Sequence, residues 1–413
     1  MDKPLNIINR EQYLNDLLSF KDKKAIKVIT GMRRCGKSTL LDLFEQKLLE
    51  DGVNPQNIIR INFESMRIME IKDYIEFYKY VKDKISLSNK TYLLFDEIQL
   101  IPNWEKAVNS FLVDFDVDIY ITGSNAYLLS SELSTLLSGR YVEIKMLPFS
   151  FKEFIQFDIF DKDASIEDKF KLYLQFGGMP SVAEYNFNIK NTYSMLEGIY
   201  STVILKDIID RNKVLDQSLL RRLVSFLASS IGSTISVNKI GAFLVSDGAL
   251  QGAKAKSPAN KTIENYIAAL QNAFIFYPVE RYDIRGKSLL KTLGKNYIVD
   301  IGLRNMILGF KDSDIGHILE NIVFLELMRR GFRVYVGKVR DLEIDFIAES
   351  PNQKEYYQVS RSIIDETTAK REFASLQMVN NSYKKTLLTY DKSLTQEQDG
   401  IEIKNIIDFL IEK

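Results

Sequence analysis

The stretch GMRRCGKSTLL, Gly31 to Leu41, constrains this chain more than any other segment of its length. It follows the apolar, β-branched run AIKVIT. It leads into KSTLLDLFEQKLLEDG, whose apolar residues recur at three-and-four spacing. Gly31, Gly36, Lys37 and Ser38 thus satisfy G-x-x-x-x-G-K-[ST] between a predicted strand and a predicted helix. Glycines there let backbone N–H groups approach phosphate oxygens, and the helix N-terminus adds positive potential. Lys37 is placed to reach the β- and γ-phosphates, and the Ser38 hydroxyl to ligate magnesium. The segment Gly31–Thr39 is therefore the expected site for ATP and Mg²⁺. Met32, Arg33, Arg34 and Cys35 fill its variable positions, and Thr39 closes it. Cys35 needs no redox role.

Further strand-like runs follow: IIRINFE, TYLLFDE, VDIYITGS and YVEIKMLPF. Alternating with amphipathic helices, they predict an α/β fold with a parallel sheet covered on both faces. In such sheets ligands gather at the carboxyl ends of the strands. TYLLFDE delivers Asp96 and Glu97 there, Asp96 to hold magnesium through its water shell and Glu97 to polarise a water for attack on the γ-phosphate. Two adjacent acids also suit a helix cap, and the upstream phosphate loop favours the catalytic reading. ITGSN places Ser124 or Asn125 beside the γ-phosphate. Arg140, just before the strand YVEI, is either a surface arginine or a group that reaches a neighbouring subunit's γ-phosphate.

Composition removes several alternatives. One cysteine forms no internal disulfide, and one histidine, His317, builds neither a common zinc site nor a serine–histidine triad. His317 is expected to pack or cap at the start of its helix. Lys plus Arg equals Asp plus Glu at 55 each, so any basic patch must be local. No apolar run approaches the ~20 residues that cross a bilayer, and MDKPLNIINREQ lacks a secretory apolar core, so a cytoplasmic protein without membrane contact is expected. The 413 residues allow several domains. The expected division is a P-loop core over 1–150, a helical lid or linker over 151–215, a winged-helix-like segment over 216–290 and a mixed α/β domain over 291–413. The third segment reads helix, helix, helix, hairpin, with SSIGSTIS and SDGALQGAKAKSPAN as spacers and Gly286 in the turn.

GMRRCGKSTLL, LLFDEIQ, TGSNA, SGRYVEI with PFSFKEF, GGMP at Gly177–Pro180, KTIENYIAAL, YIVDIGLRN, LENIVFLELMRRG and EIDFIA together resemble bacterial and archaeal AAA-superfamily ATPases. The subgroup they resemble carries a C-terminal domain of unknown function, and the likeness covers nearly the whole chain. It implies an AAA-type core, a winged-helix segment and a restriction-endonuclease-like C-terminal domain. It also strengthens Arg140 as an arginine finger.

Such a nuclease fold presents a helix acid, a strand-end acid and then acid-x-Lys, carboxylates holding magnesium and lysine stabilising the attacking water. Here Glu320 falls on the helix, Glu343 and Asp345 on one strand face, and Gln358 with Ser360 at the acid-x-Lys positions. A second metal site would consist of Glu320, Asp345 and Gln358. Glutamine is a poorer magnesium ligand and serine supplies no cation, so a binding-only domain is favoured over a cleaving one. Lys370 is the displaced-lysine candidate, and Arg361 is expected on the opposite face. Arg281, Arg285, Lys287, Lys291 and Lys295 form a basic run at the expected wing. Lys261, Thr262 and Asn265 begin a helix that could read duplex DNA. The expected function is an ATPase, a homo-oligomer among its expected states, whose nucleotide state regulates DNA or partner binding. The alternatives are an ATP-dependent endonuclease and a non-hydrolysing nucleotide-gated scaffold.

Overall fold

The apolar runs near the amino terminus become one sheet and those near the carboxyl terminus another. The computed structural model of the chain describes residues 7–126, 137, 139–161, 163–210, 214, 216–246, 259–392 and 396–412. Most of the spacer SDGALQGAKAKSPAN, and Leu136 and Ser138 of LLSGRYVEI, lie outside the described residues. Two compact units result: Ile7–Pro148 with Asn272–Phe274, and Phe149–Gln271 with Ile275–Lys413. No helix among the described residues is long and apolar enough to cross a membrane.

The amino-terminal unit runs α1 (Glu11–Ser19), β1 (Ile26–Thr30), α2 (Lys37–Glu50), β2 (Ile58–Asn62), α3 (Tyr74–Lys82), β3 (Thr91–Asp96), α4 (Trp104–Asp114), β4 (Val117–Gly123) and β5 (Tyr141–Lys145). Its sheet has the order β2-β3-β4-β1-β5, every pair parallel. Alternation along β3 explains why its whole run is apolar. Leu93 and Phe95 join the core with Phe77 and Phe111 of α3 and α4, whereas Tyr92 and Leu94 join Leu40, Leu41 and Phe44 of α2. Truncating a fully buried phenylalanine such as Phe77 or Phe44 to alanine costs about 3–5 kcal/mol in such cores.

The carboxy-terminal unit is helical through α5 (Phe151–Phe154), α6 (Ile166–Phe176), α7 (Ile189–Thr202), α8 (Gln217–Ser229), α9 (Val237–Ser246) and α10 (Asn260–Asn272). It continues with β6 (Phe276–Asp283), β7 (Ser288–Ile298), α11 (Ile301–Leu308), α12 (Ile315–Arg329), β8 (Arg333–Val339), β9 (Leu342–Ser350) and β10 (Gln353–Ser360). After these come α13 (Glu366–Gln377), β11 (Lys384–Thr389), β12 (Glu397–Gln398), β13 (Ile401–Asn405) and α14 (Ile406–Ile411). The eight strands form one mixed sheet, β12-β13-β11-β10-β9-β8-β6-β7. The hairpin β6–β7 thus runs through residue 290 and pairs, through β6, in parallel with β8.

Several of the quoted motifs meet at one junction in this unit. Asp300 caps α11 by accepting from the Leu303 N–H at 3.0 Å, and it also accepts from the Gly178 N–H at 2.7 Å. Asn305 donates to the carbonyls of Leu174 and Gln175 near the end of α6, both at 2.9 Å. A Cβ at Gly177 would lie 2.4 Å from the Asp300 carboxylate, and one at Gly178 would lie 2.1 Å from the Phe149 carbonyl. GGMP and YIVDIGLRN therefore specify a close backbone crossing.

Asp300→Ala strips acceptors from buried N–H groups and should destabilise the chain by about 3 kcal/mol, with Asp300→Asn costing less. Denaturant unfolding followed by circular dichroism checks this, and an unchanged midpoint for Asp300→Ala would refute the role of the junction.

Candidate functional site

Because every strand of the first sheet is parallel, its functional residues converge on one edge. Gly31–Gly36 leave the end of β1, and α2 opens at Lys37. Gly36 caps that helix in the left-handed region at φ 103°, and a Cβ at Gly31 would strike the Met146 carbonyl at 2.3 Å. Lys37 is buried and donates to the carbonyls of Gly31 and Met32, each at 3.1 Å. Arg33 pairs with Glu64 at 3.0 Å, while Arg34 and Thr39 are exposed. Met32 and Cys35 are buried, Cys35 among Leu40 and Leu41, so these two side chains belong to the packing of the loop. Burial pushes the Cys35 thiol up, which makes it unreactive.

Asp96 and Glu97 stand at the end of β3, next to β4. Asp96 is wholly buried and accepts from Thr122 Oγ1 at 2.5 Å and from Asn62 Nδ2 at 3.1 Å, with Arg60 at 3.7 Å. Glu97 turns into the left-handed region at φ 55°, its N–H donating to Thr122 Oγ1 at 2.9 Å. Its carboxylate lies 3.6 Å from the Lys37 ammonium and accepts from Gln99. Burial alone would raise Glu97, but Lys37, Gln99, Arg33 and Ser124 outweigh it and hold the carboxylate below its ordinary value. A carboxylate that stays ionised results. Ser124 and Asn125, both buried, follow β4, which lies between β3 and β1. The oxygen donors of Ser38 and Asp96 suit a hard cation such as Mg²⁺.

Arg140 is brought elsewhere. It precedes β5 at the edge where β1 begins, its carbonyl accepting from the Ile26 N–H at 2.8 Å. The length of β1, about 15 Å at strand rise, separates it from its own phosphate loop. Its side chain is exposed.

Sequence reasoning missed the residues that hold this edge in place. Thr122 and Asn62 sit inside quoted strand runs, where a polar residue at the carboxyl end was the available signal. Arg10 carried none. It is buried, lies 4.8 Å from the centre of the Tyr13 ring, and donates to the carbonyls of Cys35 at 3.1 Å and Leu147 at 2.8 Å.

In the carboxy-terminal unit Glu320 of α12, Glu343 and Asp345 of β9, and Gln358 of β10 line one pocket of about 640 Å³. The basic wing expected to include Lys295 is corrected here. Lys295 is buried, 2.8 Å from Glu320, 2.8 Å from Glu343 and 3.8 Å from Asp345, so its ammonium faces these acids and not solvent. Lys370 is not the displaced lysine: it is exposed and pairs with Glu366 at 3.3 Å. His317 stands in the first turn of α12 with its side chain 54% exposed, its Nδ1 4.0 Å from Glu320. Arg361 donates to the Asp312 carbonyl at 2.9 Å. Burial and then Glu320 push the Asp345 carboxyl well above its usual range. Burial opposes the charge on Lys295, but the surrounding carboxylates prevail and hold it protonated. Gln358 donates to Glu372 at 2.8 Å and accepts from Ser375 at 3.2 Å. Among the described residues no group of three or more His, Cys, Asp or Glu side chains is arranged to hold a metal ion.

Comparison with known proteins finds an AAA domain in the amino-terminal unit. Residues 23–155 match the family described as AAA domain, and residues 167–314 match a domain of unknown function (DUF8612). An uncharacterized protein of Haemophilus influenzae is 43% identical over 408 residues, covering 98% of this chain and 99% of its own. An uncharacterized protein of Methanocaldococcus jannaschii is 31% identical over 392 residues, covering 91% and 83%. Among solved structures, a Walker-type ATPase of Pyrococcus abyssi aligns with TM-score 0.52 at 16% identity over 73% of this chain and 96% of its own, a likeness of fold.

Arg10→Ala leaves two buried carbonyls beside the phosphate loop without their donor, and should weaken ATP binding about tenfold, with Arg10→Lys intermediate. Titration with a fluorescent ATP analogue measures this, and unaltered affinity would mean that the loop is held by other contacts.

Proposed function

The chain belongs to the family of these Haemophilus and Methanocaldococcus proteins and is an AAA-superfamily ATPase by its amino-terminal domain, and from that premise we propose that it binds and hydrolyses ATP to control contacts made by its carboxy-terminal unit. The observation that carries the reading is the meeting of Lys37, Asp96 and Glu97 at one sheet edge, with Glu97 3.6 Å from the Lys37 ammonium. The backbone of Gly31–Lys37 cradles the phosphates, and Lys37 exchanges its carbonyl partners for phosphate oxygens. Ser38, and Asp96 through the water shell, would hold Mg²⁺, which when bound would neutralise phosphate charge. Glu97 takes the proton of the attacking water, and Asn125 contacts the γ-phosphate. Thr122 and Asn62 orient Asp96. Arg140, remote from its own loop, serves a neighbouring chain as its arginine finger in a homo-oligomer.

The output is contact with duplex DNA or a protein partner. The winged-helix reading of 216–290 is supported by three helices followed by a hairpin, with an isolated antiparallel bridge between Thr234 and Lys295. Lys261 and Asn265 on α10 are exposed, as are Arg285 and Lys287 at the hairpin turn. Basic residues there suit phosphate contacts, and α10 suits a groove. The restriction-endonuclease-like reading of 291–413 is supported by the convergence of Glu320, Asp345 and Gln358 from a helix and two adjacent strands.

Glu97→Gln should keep ATP affinity within about twofold and lower steady-state hydrolysis by ~10²-fold or more, whereas Lys37→Ala should weaken binding itself. Phosphate release with and without duplex DNA provides the measurement. Turnover unchanged in Glu97→Gln would remove Glu97 as the base, and absence of any turnover in the wild type would favour a nucleotide-gated scaffold.

A further inference from the structure

The carboxylate pocket in the carboxy-terminal unit already contains its positive charge. The Lys295 ammonium is buried and lies 2.8 Å from Glu320 Oε1, 2.8 Å from Glu343 Oε1 and 3.8 Å from Asp345 Oδ1. That places one cation among the three acids that would otherwise gather around a metal. Arg281 adds a second cation, 3.7 Å from the other Glu343 oxygen. The two together supply the charge that a divalent ion would bring.

Part of the remaining acceptor capacity is also committed. Glu320 Oε1 accepts from the Tyr297 hydroxyl at 2.5 Å as well as from Lys295. Asp345 Oδ2 accepts from the Val359 N–H at 2.9 Å. The Gln358 amide oxygen, its one atom able to ligate a metal, accepts from the Asp345 N–H at 3.3 Å and from Ser375 Oγ at 3.2 Å. The set Glu320, Asp345 and Gln358 therefore does not fit a divalent metal while Lys295 is present. Adding a dication beside the buried Lys295 and the partly buried Arg281 would incur a repulsion that a low-dielectric pocket screens poorly.

We propose that Lys295 is the resident cation of this pocket, its ammonium standing where a divalent metal would sit, so that removal of Lys295 converts the pocket into a divalent-cation site. The lysine comes from the hairpin strand β7, not from β10 or from α13. It pairs directly with the carboxylates of Glu320 and Glu343. The inference deepens the reading of this unit as binding and not cleaving, and rests on it only for the comparison of ligand positions. The two fail separately, since cation binding and DNA cleavage are read in different assays.

The test uses the full chain without nucleotide, titrated with Mn²⁺ while free Mn²⁺ is followed by electron paramagnetic resonance. Wild type and Asp345→Asn should give superimposable curves. Lys295→Gln should retain one additional Mn²⁺ per chain, and lose it when Glu320→Gln is added. Mn²⁺ should also raise the Tm of Lys295→Gln and leave that of the wild type in place, as binding to the folded state requires. An Mn²⁺ bound by the wild type and lost in Asp345→Asn would overturn the proposal, and that comparison needs no lysine variant to fold. A Lys295→Gln curve identical to wild type would overturn it equally. Supercoiled plasmid with Mg²⁺ should survive wild-type protein intact, and Asp345-dependent nicking would overturn the binding-only reading of the unit.

Discussion

Parallel pairing of β3, β4 and β1 is the constraint on which the nucleotide edge depends. Strands that all run the same way deliver their carboxyl ends to one side. Residues far apart in sequence, Gly31–Lys37, Asp96–Glu97 and Ser124–Asn125, therefore arrive together on the carboxyl ends of strands paired in parallel. The same constraint sends the residue before β5 to the far side. Where Glu97 and Arg140 end up is one fact about strand direction seen from two ends.

At that edge Asp96 accepts its hydrogen bonds from a threonine hydroxyl and an asparagine amide, with the Arg60 guanidinium at 3.7 Å. In the pocket of the second unit a lysine ammonium hydrogen-bonds Glu320 directly. Two clusters of similar composition thus differ in the charge they leave for a ligand. Donor identity separates a site prepared for a cation from one that is already neutralised.

The first unit was legible because its signals are local. A strand buried on both faces reads as a continuous apolar run, and the phosphate loop has fixed spacing. The hidden members, Thr122, Asn62 and Arg10, act through partners 26, 34 and 25 residues away. Nothing in their neighbours marks them. The second unit was less legible for a stronger reason. Lys295 in a run of basic residues reads as one more solvated charge, and only its pairing with Glu343 and its approach to Asp345 show that it faces inward. That pairing joins segments some fifty residues apart and has no sequence signature of its own. Lys370 was sought instead because helix position is readable and sheet order is not.

If Arg140 is the arginine finger proposed above, its separation from its own phosphate loop has a kinetic meaning. A catalytic group that its chain cannot apply to itself makes turnover a property of encounters, so that the rate per molecule depends on how many copies share a volume. Such an enzyme is dormant when dilute. Any surface or polymer that gathers copies then serves as its activator through crowding alone, without a dedicated effector pocket and without a change in the fold of the single chain.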